Sequence, residues 1–132
     1  MNKIWFLSWV VFAFLTGCFT GPVVIPDNAS AQEIIQMGQT AMDRDRYNQA
    51  IQYFQAVLER FPYNDAWMCD AEYGVAAVHY KQKKYTLAKE ELSALLAKYD
   101  ASGGSNLPKR YQILARNRLN VIAEKQRILA QE

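Results

Sequence analysis

Two cysteines, Cys18 and Cys69, and one histidine, His79, are the side chains of this 132-residue chain best suited to nucleophilic, acid–base or metal chemistry. A thiol nucleophile needs a base within hydrogen-bond reach, and His79 is the single imidazole available to either cysteine. A structural zinc site takes four nitrogen or sulfur ligands, more than these residues supply. The chain contains no GxSxG, HExxH, CxxC or phosphate-loop pattern. Asp43, Asp45 and Asp65 fall at expected loops or helix ends, where carboxylates cap and solvate. These residues point away from an enzyme and away from a metal or dissociable cofactor. What remains is the chemistry of Cys18 and of binding surfaces.

Cys18 follows one cation, Lys3, and an uncharged apolar run from Ile4 to Leu15. That run has the length of a signal-peptide core and is short of the ~20 apolar residues that a membrane span needs. Leu15-Thr16-Gly17-Cys18 resembles the bacterial lipobox. The resemblance implies a diacylglyceryl group on the Cys18 thiol, cleavage before the cysteine and acylation of the new amino group; the alternative is a plain secretory signal with a chance cysteine. The expected organisation is a lipoprotein signal peptide over 1–17, a lipidated tether over 18–30 and a helical domain over 31–132. The covalent lipid on Cys18 is the only prosthetic group expected. Phe19, where an Asp would favour inner-membrane retention, favours the outer membrane. With Cys18 acylated, Cys69 has no disulfide partner and reads as a small buried hydrophobe.

Apolar residues make up 51% of the chain, too many for intrinsic disorder. A net charge of +2 leaves no global footprint for nucleic acid. The charge is uneven, however: residues 103–132 hold six basic side chains against two acidic ones.

The elements that must position these residues are helices. Phe19 to Ser30 holds Gly21, Pro22 and Pro26, lacks a helical period and reads as a spacer. If extended in polyproline fashion it spans ~37 Å. Ser30 with Glu33 three residues on makes a capping box. Beyond it, apolar residues recur at three- and four-residue spacing, which predicts helices at about 31–43, 47–60, 66–81, 86–99 and 108–130. Pro108 suits the first turn of the last helix, and Gly103-Gly104 is the most flexible link within the domain. Tyr47 and Tyr85 are 38 residues apart, as are Ala50 and Ala88, and Phe54 and Leu92. A period of this length means stacked supersecondary units.

These residues match the tetratricopeptide pattern. Gly38 and Ala76 fit the small residue of each first helix, Ala50 with Phe54 and Ala88 with Leu92 fit A-x₃-F, and Pro62 fits the closing proline. Ile34 replaces the usual Trp, the second copy ends at Asp100 without Pro, and four extra residues separate the copies. The expected fold is all-α: two helix hairpins and a C-terminal capping helix. His79 then falls at a helix–helix packing position, as a satisfied and partly buried histidine. Tyr47, Phe54, Phe61, Tyr85 and Leu92 read as core. Trp67 stays open between core and exposed anchor.

The stretch from Ala31 to Tyr99 resembles the amino-terminal part of BamD-type lipoproteins of the outer-membrane barrel-assembly machine. The resemblance is carried by Tyr47 with Gln49-Ala50-Ile51, by Glu59-Arg60-Phe61-Pro62-Tyr63, and by Gly74 to Lys81 with Tyr85 and Ala88. It implies a periplasm-facing scaffold at the outer membrane. The implied partners are a barrel-assembly membrane protein, unfolded outer-membrane protein segments, or both. Larger members have about five repeats, so the docking of their later repeats does not transfer to this chain. Periplasmic repeat proteins of the Tol–Pal system, of cell-wall work and of pilus assembly share much of the pattern and remain the alternative. In such folds the first helix of each repeat lines a concave groove. Helix phase places Gln32, Ile35, Gln39, Met42 and Asp43 on it in the first repeat, and Asp70, Tyr73, Ala77, Tyr80 and Lys81 in the second. Gln39, Met42, Tyr73, Tyr80 and Lys81 are the expected partner contacts; the competing reading packs both tyrosines on the 108–130 helix. That helix has one apolar and one basic face, suited to capping the stack, to an acidic partner or to anionic lipid.

Overall fold

The computed structural model describes residues 21–101 and 104–131. Cys18 and the apolar run before it lie outside the described residues. The described residues form five α-helices: α1 (Ala31–Asp43), α2 (Tyr47–Arg60), α3 (Asp65–Lys81), α4 (Tyr85–Asp100) and α5 (Lys109–Leu129), with a 3₁₀ turn at Gly104–Asn106. No strand occurs among them.

The first helix starts where the sequence expects it. The Glu33 amide donates to the Ser30 hydroxyl at 3.3 Å, and the Ser30 amide donates back to the Glu33 carboxylate at 2.7 Å. These bonds, the backbone one foremost, hold the Glu33 carboxyl below its ordinary 4.5. The hairpin turns are also built alike. The Arg46 amide bonds the Ala41 carbonyl and the Lys84 amide bonds the His79 carbonyl, both at 2.9 Å. With the Asp45 and Lys83 amides on the Met42 and Tyr80 carbonyls, each turn is a Schellman closure. It needs a left-handed residue, supplied by Asp45 (φ 57°) and Lys83 (φ 61°) 38 positions apart.

Each helix packs on the next, α3 also packs on α1 and on α5, and α2 does not meet α4. The odd helices therefore form an inner layer and the even helices an outer one, as in a tetratricopeptide stack. Phe54 reaches from α2 into the seam between α1 and α3. A Cβ built on Gly38 would lie 2.9 Å from its ring, and one on Gly74 2.6 Å. The ring thus fills a slot that exists because both neighbours lack side chains. Ile34, Ala50, Val57 and Val78 close the cluster around it. A second cluster joins Ala76, Ala88, Leu92 and Leu95 to Tyr111, Ala115 and Ile122 of α5. Cys69 is buried in it, and burial pushes its thiol pKa up.

Three local expectations change. Pro108 flanks α5 as its N-cap in extended conformation rather than sitting in the first turn. Its carbonyl accepts from the Tyr99 hydroxyl at 2.7 Å, which ties the end of α4 to the start of α5. Gly104 is buried rather than a free link, because its α-carbon lies against the carbonyls of Lys98 and Tyr99; Gly103 lies outside the described residues. Residues 21–29 do not stand off as a spacer. The Val23 amide donates to the Gln52 side chain at 3.0 Å, and the Arg60 guanidinium donates to the Pro26 carbonyl at 2.9 Å. Ile25 and Ala29 pack on the first cluster.

Two outcomes follow. Gly74→Ala gains helix propensity worth about 1 kcal/mol but drives a methyl into the Phe54 ring, and overpacking costs about 1–3 kcal/mol. Net destabilisation is expected in urea melts, and combining it with Phe54→Leu should cost less than the sum of the two single changes. The lowered Glu33 pKa gives the capping box a pH dependence. Its contribution is complete above the carboxyl's ordinary 4.5 and is lost as pH falls through the lowered folded value. An NMR titration of the Ser30 amide should report that loss; a flat profile would contradict it.

Candidate functional site

The inner layer leaves a cleft of about 490 Å³ between α1, the start of α3 and the start of α5. Gln32, Gln36 and Gln39 stand four and three residues apart on α1, so their amides form a row along one helix face. Ile35 lies beneath them. Trp67 and Asp70 face them from α3, and Arg110 and Tyr111 close the third side from α5. Trp67 is half-buried: it packs on the first cluster and lines the cleft at once. It is held there by the start of α3, where the Trp67 amide donates to the Asn64 side chain at 3.1 Å. Burial, and then a hydrogen bond with Asp70, pushes the Tyr111 phenol far above its ordinary 10, so it stays protonated and can serve only as a neutral group.

The groove residues expected from helix phase divide into two sets. Gln32, Ile35, Gln39 and Asp70 line the cleft. Met42 packs partly on the first cluster, Ala77 is buried, and Lys81 reaches Asp43 across α1 and α3 at 3.7 Å. Tyr73 and Tyr80 lie under α5. The Tyr73 ring sits 6.1 Å from that of Tyr111, and the Arg118 guanidinium lies 4.4 Å over the Tyr80 ring while donating to the Tyr73 hydroxyl at 3.3 Å. Both tyrosines are half-buried and seat α5, and neither lines the cleft. Arg110, Tyr111 and Pro108 were not among the expected groove residues. Their signal was the 38-residue step itself: Tyr111 lies 38 positions after Tyr73, so α5 repeats the inner-layer role of α3.

His79 is satisfied. Its Nδ1 lies 2.8 and 2.9 Å from the two carboxylate oxygens of Glu91, which fastens α3 to α4. Among the described residues no group of three or more His, Cys, Asp or Glu side chains converges as a metal site. The groove offers one row of amides, two aromatic rings and one cation, groups that can meet a peptide backbone and its side chains.

Comparison with known proteins agrees with the repeat geometry. Residues 27–107 match the family described as "YfiO: Outer membrane lipoprotein". The chain belongs to this family. It is 34% identical over 90 residues to the outer membrane protein assembly factor BamD of Haemophilus influenzae, a match covering 65% of this chain and 32% of that protein. It is also 32% identical over 100 residues to an uncharacterized protein of Treponema pallidum, covering 74% of this chain and 40% of that one. The matched part of the chain thus spans 40% of the one relative and 32% of the other. No solved structure matches it. Among the described residues no helix is long and apolar enough to cross a membrane.

Arg118→Ala should remove the cation–π contact, worth about 0.5–2 kcal/mol, together with the Tyr73 hydrogen bond. Hydrogen exchange should then rise in α5 and stay unchanged in α1 and α2. Uniform loss of protection would mean that α5 is not a separable unit on this face.

Proposed function

We propose that this protein is a lipid-anchored, periplasm-facing scaffold of outer-membrane protein assembly, acting by binding. The observation that carries the reading is the open inner-layer groove on a chain of the YfiO lipoprotein family. An extended partner segment lies along α1, its backbone meeting the amides of Gln32 and Gln39 and its side chains meeting Trp67, with Met42 and Lys81 at the far end of the groove. Tyr73 and Tyr80, half-buried beside Arg118 of α5, contact it farther along α3. The partner is a barrel-assembly membrane protein, an unfolded outer-membrane protein segment, or both; no nucleic acid and no catalytic step is involved. Acylated Cys18 holds the groove at the outer membrane, which raises effective concentration without any new contact. Support comes from the relative named as a BamD assembly factor and from the family match over α1 and α3, two of the three groove-bearing helices.

The test is a mild-detergent pull-down of the tagged, natively expressed protein with mass spectrometry of what co-purifies. Stoichiometric recovery of a barrel-forming assembly protein is expected, and the double variant Gln39→Ala, Trp67→Ala should lower it at least about tenfold with the circular dichroism unchanged. Tyr73→Ala with Tyr80→Ala should also lower it; full binding by that variant while folded would remove the tyrosines from the site. Recovery of peptidoglycan-binding, Tol–Pal or pilus components in its place would transfer the scaffold to those systems.

A further inference from the structure

One edge of the stack is basic. The α1–α2 and α3–α4 turns lie side by side there, as the Asp43–Lys81 ion pair across them shows. They bring Arg44 and Arg46 next to Lys83 and Lys84, all exposed. None of these four pairs with a carboxylate among the described residues. The nearest carboxylates are engaged: Asp45 accepts from the Tyr47 hydroxyl at 2.6 Å, and Asp43 faces Lys81. The α5 helix adds to the same edge. It meets α3 at residues 38 apart, so the level of Lys83 is reached at Val121. From there α5 continues to Leu129, about 12 Å farther at 1.5 Å per residue. Those turns carry Lys125, with Arg127 paired to Glu124 and with Ile128 and Leu129 exposed. At the opposite edge Asp27, Asp65 and Asp100 offset Arg60, Lys109 and Arg110, with no basic excess. Lys83 also occupies a left-handed position that glycine would take without strain, so a cation is kept where the turn itself favours none.

The entering chain approaches this edge. Gly21 and Val23 bind Gln52, and the segment then runs to Pro26 at Arg60, away from the basic side. Gln52 is about 8 Å from the start of α2 and about 12 Å from its end. Cys18 stands three positions before Gly21, a reach of about 10–11 Å at full extension. That reach covers the basic edge, whereas the loop at Phe61–Asn64 lies beyond the far end of α2.

We infer that the basic edge rests on anionic phospholipid head groups. Arg44, Arg46, Lys83 and Lys84 sit in the head-group layer, and Ile128 and Leu129 of the projecting α5 turns touch the interface. Basic side chains are attracted to such a surface within about a Debye length, ~8 Å at physiological salt. A lipid chain leaving the domain beside them holds them within that distance. This orientation rests on the lipidation of Cys18 proposed above.

The test uses the full-length protein purified from membranes and reconstituted into vesicles of phosphatidylcholine, alone or with 30% phosphatidylglycerol, a fraction set by the design (about one lipid in three carrying charge). A polarity-sensitive fluorophore is placed at Thr86→Cys on the basic edge or at Tyr63→Cys on the opposite one. The expected result is a blue shift at position 86 that appears with phosphatidylglycerol, is absent at position 63, and is lost in the variant Arg46→Glu, Lys83→Glu, Lys84→Glu with an unchanged melting temperature. A shift at 63, at neither site, or at 86 on neutral vesicles and in the reversed variant alike would overturn the inference. Mass spectrometry of the same sample reads the anchor independently. If Cys18 carries no lipid, the anchoring reading fails by itself; the edge is then tested by co-sedimentation with the same anionic vesicles, where the reversed variant should bind at least about tenfold less.

Discussion

The rest of the structure depends on one ring and two missing side chains. Phe54 enters the seam between α1 and α3 only because Gly38 and Gly74 leave a slot for it. A ring of that size buried beside Ile34, Val57 and Val78 contributes several kcal/mol, and it joins three helices at one point. The cost is carried by the glycines, each worth roughly 1 kcal/mol of lost helix propensity. The exchange is favourable because the slot fixes the distance between α1 and α3. That distance sets the width of the cleft above it, where Gln39 and Trp67 face each other. The cleft is therefore a consequence of core packing.

The same spacing propagates through the stack. Thirty-eight residues separate the two left-handed turn residues, the partners of the Asp43–Lys81 pair, the tilted ring pair of Tyr73 and Tyr111, and the Tyr80–Arg118 contact. The last three are nearest-neighbour contacts between successive inner helices, as expected where repeats interact only with the units beside them. This places α5 as the inner helix of a further unit, and its apolar stripe explains why: Tyr111, Ala115 and Ile122 are buried on α4 and α3. Ile113 and Val121 remain exposed on the side away from that contact.

Much of this was legible in the sequence, for reasons that differ by element. The helices followed from the three- and four-residue period, and α1 from the Ser30–Glu33 box, because these signals are local. Phe54, Leu92, Ala50 and Ala88 were legible as core because the 38-residue repeat doubled each signal. The second glycine of the slot was not: Gly74 stands two residues before the position at which the repeat expects a small residue, Ala76, and only the approach of α3 to the Phe54 ring reveals its role. The docking of residues 21–29 was hidden because its bonds run to Gln52 and Arg60, some thirty residues away, and prolines and a glycine read locally as a spacer. Trp67 could not be assigned because it does both things that were weighed for it, packing on the core and lining the cleft. The share of the groove that comes from Pro108, Arg110 and Tyr111 was not legible, because it depends on how the start of α5 docks beside α1 and α3 rather than on any local pattern.

The two layers separate two tasks that would otherwise compete for surface. The chain arrives along α2, on the outer layer, where Gln52 and Arg60 hold its backbone carbonyls. The groove is made by α1, α3 and α5, on the inner layer. An arriving segment placed on the inner layer would lie across Gln32 and Gln39 and block them. Placed on α2, it leaves them open and adds Ile25 and Ala29 to the first core cluster. The same segment that leads toward Cys18 therefore also stiffens the helix pair bearing the Phe54 slot, so pulling on the entering chain loads α2 rather than the groove. The entering segment and the cleft lie on opposite faces of one two-layered stack, joined through the Phe54 ring.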